Sequence, residues 1–272
     1  MVRRGSSSSR GGRGGGDDTS GAALLSSRYL RAVRLERDRV PSFSPYPFSI
    51  PAIRALDELP LDPRVTCLVG ENGSGKSTLL EAIAVVAGFN AEGGTKNFRF
   101  ATRRSESDLH RYLRAVRGPT RERDGFFLRA ESYFNVGTEI ERLDAEGGGP
   151  PIIDSYGGVS LHEQSHGESF LALAQHRFRG DGLYLLDEPE AALSPTRQLA
   201  FLAIIHDLVE HHRSQFVIAT HSPILLGYPG ALIYSLDGGA PRAITYEETE
   251  HYLITRDFLA SPERFFKTLF RA

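Results

Sequence analysis

Nine consecutive residues, Gly70 to Thr78, constrain the fold of this chain more than any other segment. They match the pattern G-x-x-x-x-G-K-[ST] without a mismatch, between the apolar run Val65–Val69 and a helical pattern that ends at Gly88. A strand, a glycine-rich loop and a helix in this order form a phosphate-binding loop, whose backbone N–H groups and helix N-terminus face the phosphates. The segment therefore predicts a nucleoside triphosphate site.

The side chains of this loop have separate predicted roles. We expect Lys76 to reach the β- and γ-phosphates, Ser77 to bind Mg²⁺ through its hydroxyl, and Thr78 to lie near the α-phosphate. The glycines allow backbone conformations that turn successive N–H groups towards phosphate oxygens. The predicted nucleotide-binding residues of the loop are Gly70, Glu71, Asn72, Gly73, Ser74, Gly75, Lys76, Ser77 and Thr78.

A second apolar run, Leu183–Leu186, ends in two carboxylates, Asp187 and Glu188. At the carboxyl edge of a parallel sheet, Asp187 would lie beside the phosphate loop and hold Mg²⁺. Glu188 would face the γ-phosphate and position or deprotonate the attacking water. Taken alone, Asp-Glu-Pro could equally be a polar turn, but a phosphate loop in the same chain favours the catalytic interpretation.

A third apolar run, Phe216–Ala219, leads into Thr220 and His221. A histidine just past the end of a parallel strand lies on the side of the sheet where ligands bind. It could hydrogen-bond the γ-phosphate and respond to its loss, although a lone histidine is often structural. We predict His221 as a catalytic residue together with Lys76 and Glu188.

The remaining patterns predict alternating strands and helices. Ser194 and Pro195 are an N-cap and a first-turn proline, and they predict a helix to about residue 211. A fourth strand is predicted at Leu232–Tyr234 and a C-terminal helix at Pro262–Phe270. Residues 29–59 look like short strands broken by prolines.

Three regions of the chain have different compositions. Residues 1–27 are Gly, Ser and Arg with few large apolar side chains, so we expect a disordered tail. Residues 28–272 are predicted as the folded domain. Within it, residues 96–180 are predicted as an inserted subdomain with a strand near Phe126–Ala130, because this region is less regular and rich in arginine.

Bulk composition excludes several classes of protein. The 272 residues are 40% hydrophobic and carry a formal net charge of −2, which argues against a globally basic nucleic-acid binder. Cys67 is the one cysteine, so no internal disulfide is expected. No apolar run approaches the length of about 18 residues that a membrane span needs. We expect a cytoplasmic protein.

The order and spacing of these motifs resemble those of the ATP-binding-cassette (ABC) ATPases. Lys76 and Asp187 are 111 residues apart, and Asp187 and His221 are 34 apart. The segment Gln164–Glu168, Gln-Ser-His-Gly-Glu, resembles a variant of the family's signature motif, with Ser165 and Gly167 at its serine and second glycine. A simpler interpretation, a helix N-terminus capped by Ser165, is compatible with that role.

The resemblance covers roughly residues 28–250 and has structural implications. It implies a P-loop α/β fold of the ABC type: a mostly parallel core sheet flanked by helices, a small lid or signature subdomain, and an N-terminal antiparallel β part. It also implies that Ser165 and Gly167 bind the nucleotide of a partner copy. ATP with Mg²⁺ would then hold two copies in a head-to-tail homodimer.

The sequence departs from the family pattern at some positions. These departures make it more similar to the non-transporter group, which is related to SMC-type, RecF-type and other bacterial ATPases. The segment Glu190–Pro195 lacks the aspartate that transporter ATPases commonly carry there. No glutamine marks the loop that couples the site to a partner, so Glu131 is the weak candidate. Tyr46 and Phe48 are candidates for stacking on adenine, with Phe48 slightly preferred.

Nine arginines and four acidic residues lie between Arg99 and Arg129. This run could be a solvated face, which is the more common case, or a surface that contacts nucleic acid or a protein. Three functions stay open at this point: a stand-alone ATPase switch in DNA maintenance or defence, the ATPase subunit of a membrane transporter, and a nucleotide-binding regulatory module with little turnover.

Overall fold

The computed structural model of the protein describes residues 29–96, 107–129, 133–147, 151, 153–154, 158 and 166–270. The predicted tail, Glu131, Ser165 and the arginines at 99, 103 and 104 lie outside them. The strands are β1 (Leu30–Leu35), β2 (Glu58–Pro60), β3 (Val65–Val69), β4 (Leu113–Arg117), β5 (Asp124–Arg129), β6 (Gly182–Asp187), β7 (Gln215–Ala219), β8 (Leu232–Ser235) and β9 (Arg242–Ile244). The α-helices are α1 (Pro51–Arg54), α2 (Lys76–Ala87), α3 (Tyr133–Glu146), α4 (His166–Arg177), α5 (Pro195–Glu210), α6 (Pro223–Leu226), α7 (Glu250–Ala260) and α8 (Pro262–Leu269).

The main sheet has six strands in the order β5-β6-β7-β3-β8-β9. The first five are parallel, and β9 pairs antiparallel with β8 at the edge. The register puts Asp187 of β6 opposite Ala219 of β7, and Leu68 of β3 also faces Ala219. The predicted α/β class with a mostly parallel sheet is confirmed. The carboxyl ends of β3, β6 and β7, which lead into predicted site residues, therefore lie together at one edge of the main sheet.

The main sheet separates two hydrophobic cores, because successive side chains of a strand point to opposite faces. Val65, Cys67 and Val69 of β3 pack into the core that α4 and α5 cover, whereas Leu68 packs into the core on the side of α2. Every residue of β3, β6 and β7 is buried. Such continuous apolar runs are typical of parallel strands covered on both faces.

A smaller antiparallel sheet, β2-β1-β4, covers the α2 side of the main sheet. The fully buried side chain of Gln215 connects the two sheets. Its Nε2 donates to the carbonyl oxygens of Leu30 and Asp62 at 2.7 and 2.8 Å, and its Oε1 accepts from the Leu30 N–H at 3.0 Å. All three of these hydrogen bonds join the side chain of Gln215 to backbone groups, two in β1 and one in the loop before β3.

The strand predicted inside the insert does not belong to a separate unit. β4 is part of the N-terminal sheet, and β5, the strand predicted near Phe126–Ala130, pairs with β6 along its whole length in the main sheet. The prediction of an insert over 96–180 is therefore wrong for residues 113–129. The sequence predicted β5 as a strand but not the sheet to which it belongs, and it did not predict β4.

Local signals predicted the helix ends closely. Gly75 and Gly88, both left-handed, precede and follow α2. Ser194 caps α5 by accepting a hydrogen bond from the Arg197 N–H, and Pro195 is its first residue. Between β1 and β2 the proline-rich segment forms turns and the short α1 instead of strands. No helix among the described residues is both long and apolar enough to cross a membrane.

Candidate nucleotide site

The phosphate loop connects β3 to α2 in a backbone conformation that requires glycine. Gly75 has φ of +98°, and a Cβ there would lie 2.9 Å from Cγ2 of Ile50. Gly70 has φ of +156°, and its Cβ would meet Oδ1 of Asp237 at 2.9 Å. Any side chain at these positions would disturb the loop both sterically and through φ.

Lys76 is folded back over the loop. Its Nζ donates to the carbonyl oxygens of Gly70 and Glu71 at 2.7 and 3.0 Å, and the residue is 4% exposed. Burial lowers the pKa of the Lys76 ammonium, while nearby carboxylates, Glu188 first, oppose that shift. The cation is held by neutral carbonyls at the centre of the loop, where it can exchange them for phosphate oxygens.

Ser77 and Asp187, the two predicted Mg²⁺ ligands, lie in contact. Ser77 Oγ donates to Oδ1 of Asp187 at 2.9 Å. On the other side, Nε of Arg129 is 3.9 Å from Oδ2 of Asp187, and Arg129 Nη1 donates to Oε2 of Glu81 at 2.6 Å. A hydroxyl and a carboxylate are hard oxygen donors of the kind that Mg²⁺ takes beside phosphate oxygens. The donor set fits that ion.

Glu188 adopts a left-handed conformation with φ of +49°, which is uncommon for a residue other than glycine. Its N–H donates to the carbonyl oxygen of Ala219 at 2.9 Å, so this turn is tied to the end of β7. The carboxylate is 41% exposed and its Oε1 lies 3.4 Å from Nε2 of His221. Two of the predicted catalytic residues are therefore brought together at the sheet edge.

His221 is held by contacts on both its backbone and its ring. The backbone N–H donates to Oε1 of Glu190 at 2.5 Å, and Nδ1 is 2.8 Å from Nε2 of His251. Burial, followed by the positive charge of Lys76, lowers the pKa of His221 below its usual value. Burial raises the pKa of the Glu190 carboxyl. Because the pKa of His221 is lowered, its ring is neutral near neutral pH.

The preference for Phe48 as the adenine-stacking residue is wrong. Phe48 is 4% exposed and packs edge-on against Phe43 and Tyr112, so its ring has no free face. Tyr46 is 66% exposed, and its hydroxyl lies 3.1 Å from Oγ1 of Thr78 at the end of the phosphate loop. Both aromatics occur in one proline-rich segment, and only packing distinguishes them.

Gly167 stands at the second residue of α4 and is buried. A Cβ there would lie 2.8 Å from the carbonyl oxygen of Ala192, which belongs to the short helix after Glu188. Next to it, Glu168 pairs with Arg197 of α5 at 3.1 Å. The glycine thus permits close packing of the signature helix on the turn that follows the acidic strand end.

Three of the described arginines of the basic run make ion pairs within the chain. Arg111 contacts Asp108 at 3.3 Å, Arg117 contacts Glu122 at 3.0 Å, and Arg129 is mostly buried beside Glu81. Arg117 also donates to the carbonyl oxygen of Ala87. These contacts give Arg117 and Arg129 structural roles, and nothing in the described part of the run supports a nucleic-acid surface.

Two residues at the site were missed by sequence reasoning. Oδ1 of Asp237 accepts a hydrogen bond of 2.9 Å from the Glu71 N–H and so fixes the start of the phosphate loop. Asp237 comes just after β8, a strand-end position that could have revealed it. His251 carries no such signal. A cleft of about 580 Å³ is lined by Glu71, Asn72, Glu188, His221 and His251.

Two family models match the chain. One, described as "AAA domain", matches residues 49–140, and the other, described as "AAA domain, putative AbiEii toxin, Type IV TA system", matches residues 153–227. The thiamine import ATP-binding protein ThiQ of Rhizobium meliloti (strain 1021) is 29% identical over an alignment of 216 residues, which covers 72% of this chain and 84% of that protein.

Similar solved structures have low sequence identity. The cbiO1 structure from Clostridium perfringens, part of the ABC transporter complex cbiONQ, is 17% identical, with a TM-score of 0.49 over 87% of this chain and 97% of that one. The SMC head domain from Thermotoga maritima is also 17% identical, with a TM-score of 0.41 over 80% and 98% of the two chains.

The phosphate loop, the acidic strand end beside it and the two matching AAA models define the class of protein: this chain is a P-loop ATPase. The thiamine-import relative aligns over most of both chains and agrees with that class. Within the class, the order of its motifs resembles that of the ABC type of P-loop ATPase.

Proposed function

We propose that this ATPase is a conformational switch in which two copies, arranged head to tail, close over two molecules of Mg-ATP and reopen after hydrolysis. The observation that carries the proposal is the meeting of Ser77 with Asp187, and of Glu188 with His221, at one edge of the parallel sheet. These pairs supply separate sites for the metal and for the attacking water.

Binding begins with the phosphate loop. Backbone N–H groups of the loop and the N-terminus of α2 bind the phosphate oxygens, and Lys76 Nζ leaves its carbonyl partners for the β- and γ-phosphates. Asp237 keeps the loop in shape through the Glu71 N–H. The exposed Tyr46 ring, anchored near Thr78, stacks on the adenine.

Ser77 and Asp187 would hold the Mg²⁺ ion, which supplies neutralisation of the phosphate charge when bound. The half-exposed Glu188 carboxylate faces the cleft and accepts the proton of the attacking water. His221 donates through Nε2 to a γ-phosphate oxygen. Loss of that oxygen removes the hydrogen bond, so the turn that carries His221 responds to hydrolysis.

The second half of each site comes from a partner copy in this proposal. Ser165 and the N-terminus of α4 face the γ-phosphate of the partner, where a helix N-terminus favours an anion. The close packing of Gly167 on Ala192 supports coupling within one chain, because it ties the start of α4 to the turn after Glu188. Changes at the acidic strand end would then reach the dimer interface.

The first test uses Glu188→Gln, which keeps the shape of the side chain and removes the base. We expect this variant to bind ATP without steady-state phosphate release and to elute as a dimer with Mg-ATP and as a smaller species without it. Lys76→Ala, which removes the phosphate contact, is the control and should stay small under both conditions. A Glu188→Gln protein that remains monomeric at saturating ATP overturns the dimer.

A mixing experiment tests the head-to-tail arrangement. Lys76→Ala and Ser165→Arg are each expected to be inactive, because every site in either homodimer is damaged. In a mixed dimer, one site combines the intact phosphate loop of one copy with the intact signature of the other. Mixing should therefore restore up to about a quarter of the wild-type rate. No recovery in a confirmed mixed dimer would show that each site is complete within one chain.

The cellular setting is proposed to be defence or DNA maintenance, and the description of the second family model, a type IV toxin–antitoxin system, supports defence. Affinity capture with the ATP-bound Glu188→Gln variant, with and without nuclease, tests this. A client that is lost after nuclease treatment indicates nucleic acid, and a retained one indicates protein.

A second candidate function is the ATPase subunit of a membrane transporter, which the thiamine-import relative favours. Capture from detergent-solubilised membranes distinguishes the two: a multi-helix membrane protein retained at a one-to-one ratio would support the transporter. A third candidate, a regulatory module with little turnover, requires that wild type release no phosphate above the Glu188→Gln background.

A further inference from the structure

A second histidine, His251, lies against His221 at the edge of the cleft. The His251 Nε2 atom is 2.8 Å from the Nδ1 atom of His221, and the two ring centroids are 4.9 Å apart. His251 is the second residue of α7, an element far along the chain from the phosphate loop. No motif of the ATPase site includes it, yet it lines the same cleft as Glu188.

Only one of the two facing nitrogens can carry the proton of this hydrogen bond, because a neutral imidazole has one donor and one acceptor. The other nitrogen of His221, Nε2, lies 3.4 Å from Oε1 of Glu188. An ionised carboxylate accepts hydrogen bonds and donates none, so a proton on Nε2 is the favourable arrangement. The Nδ1 atom of His221 is then the acceptor, and His251 donates to it.

The atoms left without partners do not by themselves select a tautomer. Nδ1 of His251 is buried and makes no hydrogen bond within the part of the chain that the structure describes. Either tautomer leaves one buried N–H and one buried acceptor at the two outer nitrogens, so the carboxylate of Glu188 decides which nitrogen of His221 carries the proton. Nε2 of His221 is also buried, and its contact of 3.4 Å with Oε1 of Glu188 is longer than a normal hydrogen bond.

We infer that His251 is a positioning residue of the ATPase: its Nε2–H donates to Nδ1 of His221 and fixes the His221 tautomer whose Nε2–H faces the γ-phosphate. This inference rests on the proposed role of His221. In the opposite tautomer, Nε2 would direct a lone pair at the carboxylate of Glu188 and at phosphate oxygens, and the hydrogen bond to the nucleotide would be lost.

Steady-state kinetics separate this role from simple packing. His251→Leu removes the donor, and we expect kcat to fall about tenfold while KM for ATP changes less than about threefold. His251→Gln retains an amide N–H that can reach the same nitrogen and should recover most of kcat. Ile254→Ala, an exposed position one turn further along α7, is the matched control and should behave like wild type.

The tautomer can be observed directly by long-range ¹H–¹⁵N NMR of the histidine side chains. Wild type should show His221 protonated at Nε2, and His251→Leu should show a mixture of tautomers. This readout needs no turnover. A wild-type protein without phosphate release would therefore refute the proposed function and still leave the inference testable.

Two results would overturn the inference. One is a wild-type spectrum in which His221 carries its proton on Nδ1. The other is a His251→Leu protein with unchanged kcat in a preparation whose Glu188→Gln variant is inactive. If His251→Leu does not fold, the wild-type spectrum and the His251→Gln variant still decide the question.

Discussion

The hydroxyl of Ser77 donates a hydrogen bond of 2.9 Å to Oδ1 of Asp187, across 110 residues of sequence. Ser77 is fixed by the first turn of α2, and Asp187 ends β6 with 6% exposure. Arg129 approaches the other oxygen of this carboxylate from the neighbouring strand. The two proposed Mg²⁺ ligands lie on separate elements and are thus in contact before any metal binds, which would lower the cost of forming the site.

Replacing the carboxylate should change metal dependence more than nucleotide binding. For Asp187→Asn, we expect the Mg²⁺ concentration at half-maximal phosphate release to rise roughly 10- to 100-fold, because the amide carries no charge. The measurement is phosphate release against Mg²⁺ at fixed ATP. ATP binding in the presence of EDTA should stay within about threefold of wild type. An unchanged Mg²⁺ titration would contradict the assignment.

The exposed Tyr46 ring and the buried Phe48 ring should respond differently to truncation. Tyr46→Ala should weaken ATP binding roughly tenfold through the loss of stacking, with no change for inorganic tripolyphosphate, which has no base. Phe48→Ala should instead lower the free energy of unfolding by about 3–5 kcal/mol. Equal losses of ATP and tripolyphosphate binding in Tyr46→Ala would exclude a role in recognising adenine.

The left-handed conformation of Glu188 predicts that glycine is more stable than alanine at this position. Because glycine adopts φ of +49° without strain, Glu188→Gly should be more stable than Glu188→Ala by about 1 kcal/mol. Both variants lack the base and should release no phosphate. Urea unfolding of the two proteins measures the difference, and an alanine variant as stable as the glycine variant would show that the turn carries no strain.

Gln215 should contribute strongly to the attachment of the N-terminal sheet. Gln215→Leu has a similar volume but leaves buried N–H and C=O groups of Leu30, and the carbonyl of Asp62, without their partner. We expect the free energy of unfolding to fall by about 3 kcal/mol. Gln198→Leu provides a comparison and should cost less, because it removes two buried hydrogen bonds, one to the carbonyl of Leu193 and one from the hydroxyl of Ser222, instead of three.

The histidine pair predicts a loss of stability in mild acid. Burial chiefly lowers the pKa of both His221 and His251 below the usual 6.5, with the charge of Lys76 next for His221 and the neighbouring His221 next for His251. The unfolded chain therefore binds protons before the folded one, so the free energy of unfolding falls as the pH drops below about 6.5 and is fully present above it.

Urea titrations between about pH 8 and pH 5 test this pH dependence. A protein with both His221→Gln and His251→Gln should show a smaller decrease below pH 6.5 than wild type. Identical slopes in the two proteins would contradict the lowered pKa values, because the carboxylates common to both would then account for the whole effect.

The sequence predicted the strands and helices of the site well where local chemistry decides structure. Gly75, Gly88 and the Ser194–Pro195 pair fix helix ends through φ and capping, which act within a few residues. The placement of β5 in an insert failed, because a strand pattern does not specify its neighbour. The same limit led to the preference for Phe48, whose burial depends on Phe43 and Tyr112.

The sequence by itself determined that this chain holds a phosphate loop, an acidic strand end and a histidine at a third strand end, because these are properties of short segments. Only the tertiary structure decided that Ser77 contacts Asp187, that Tyr46 and not Phe48 has a free ring, and that His251 lies against His221. Such contacts depend on how the parallel strands are ordered and on where α7 returns to the sheet edge. That order follows from burial across the whole chain and leaves no local signal.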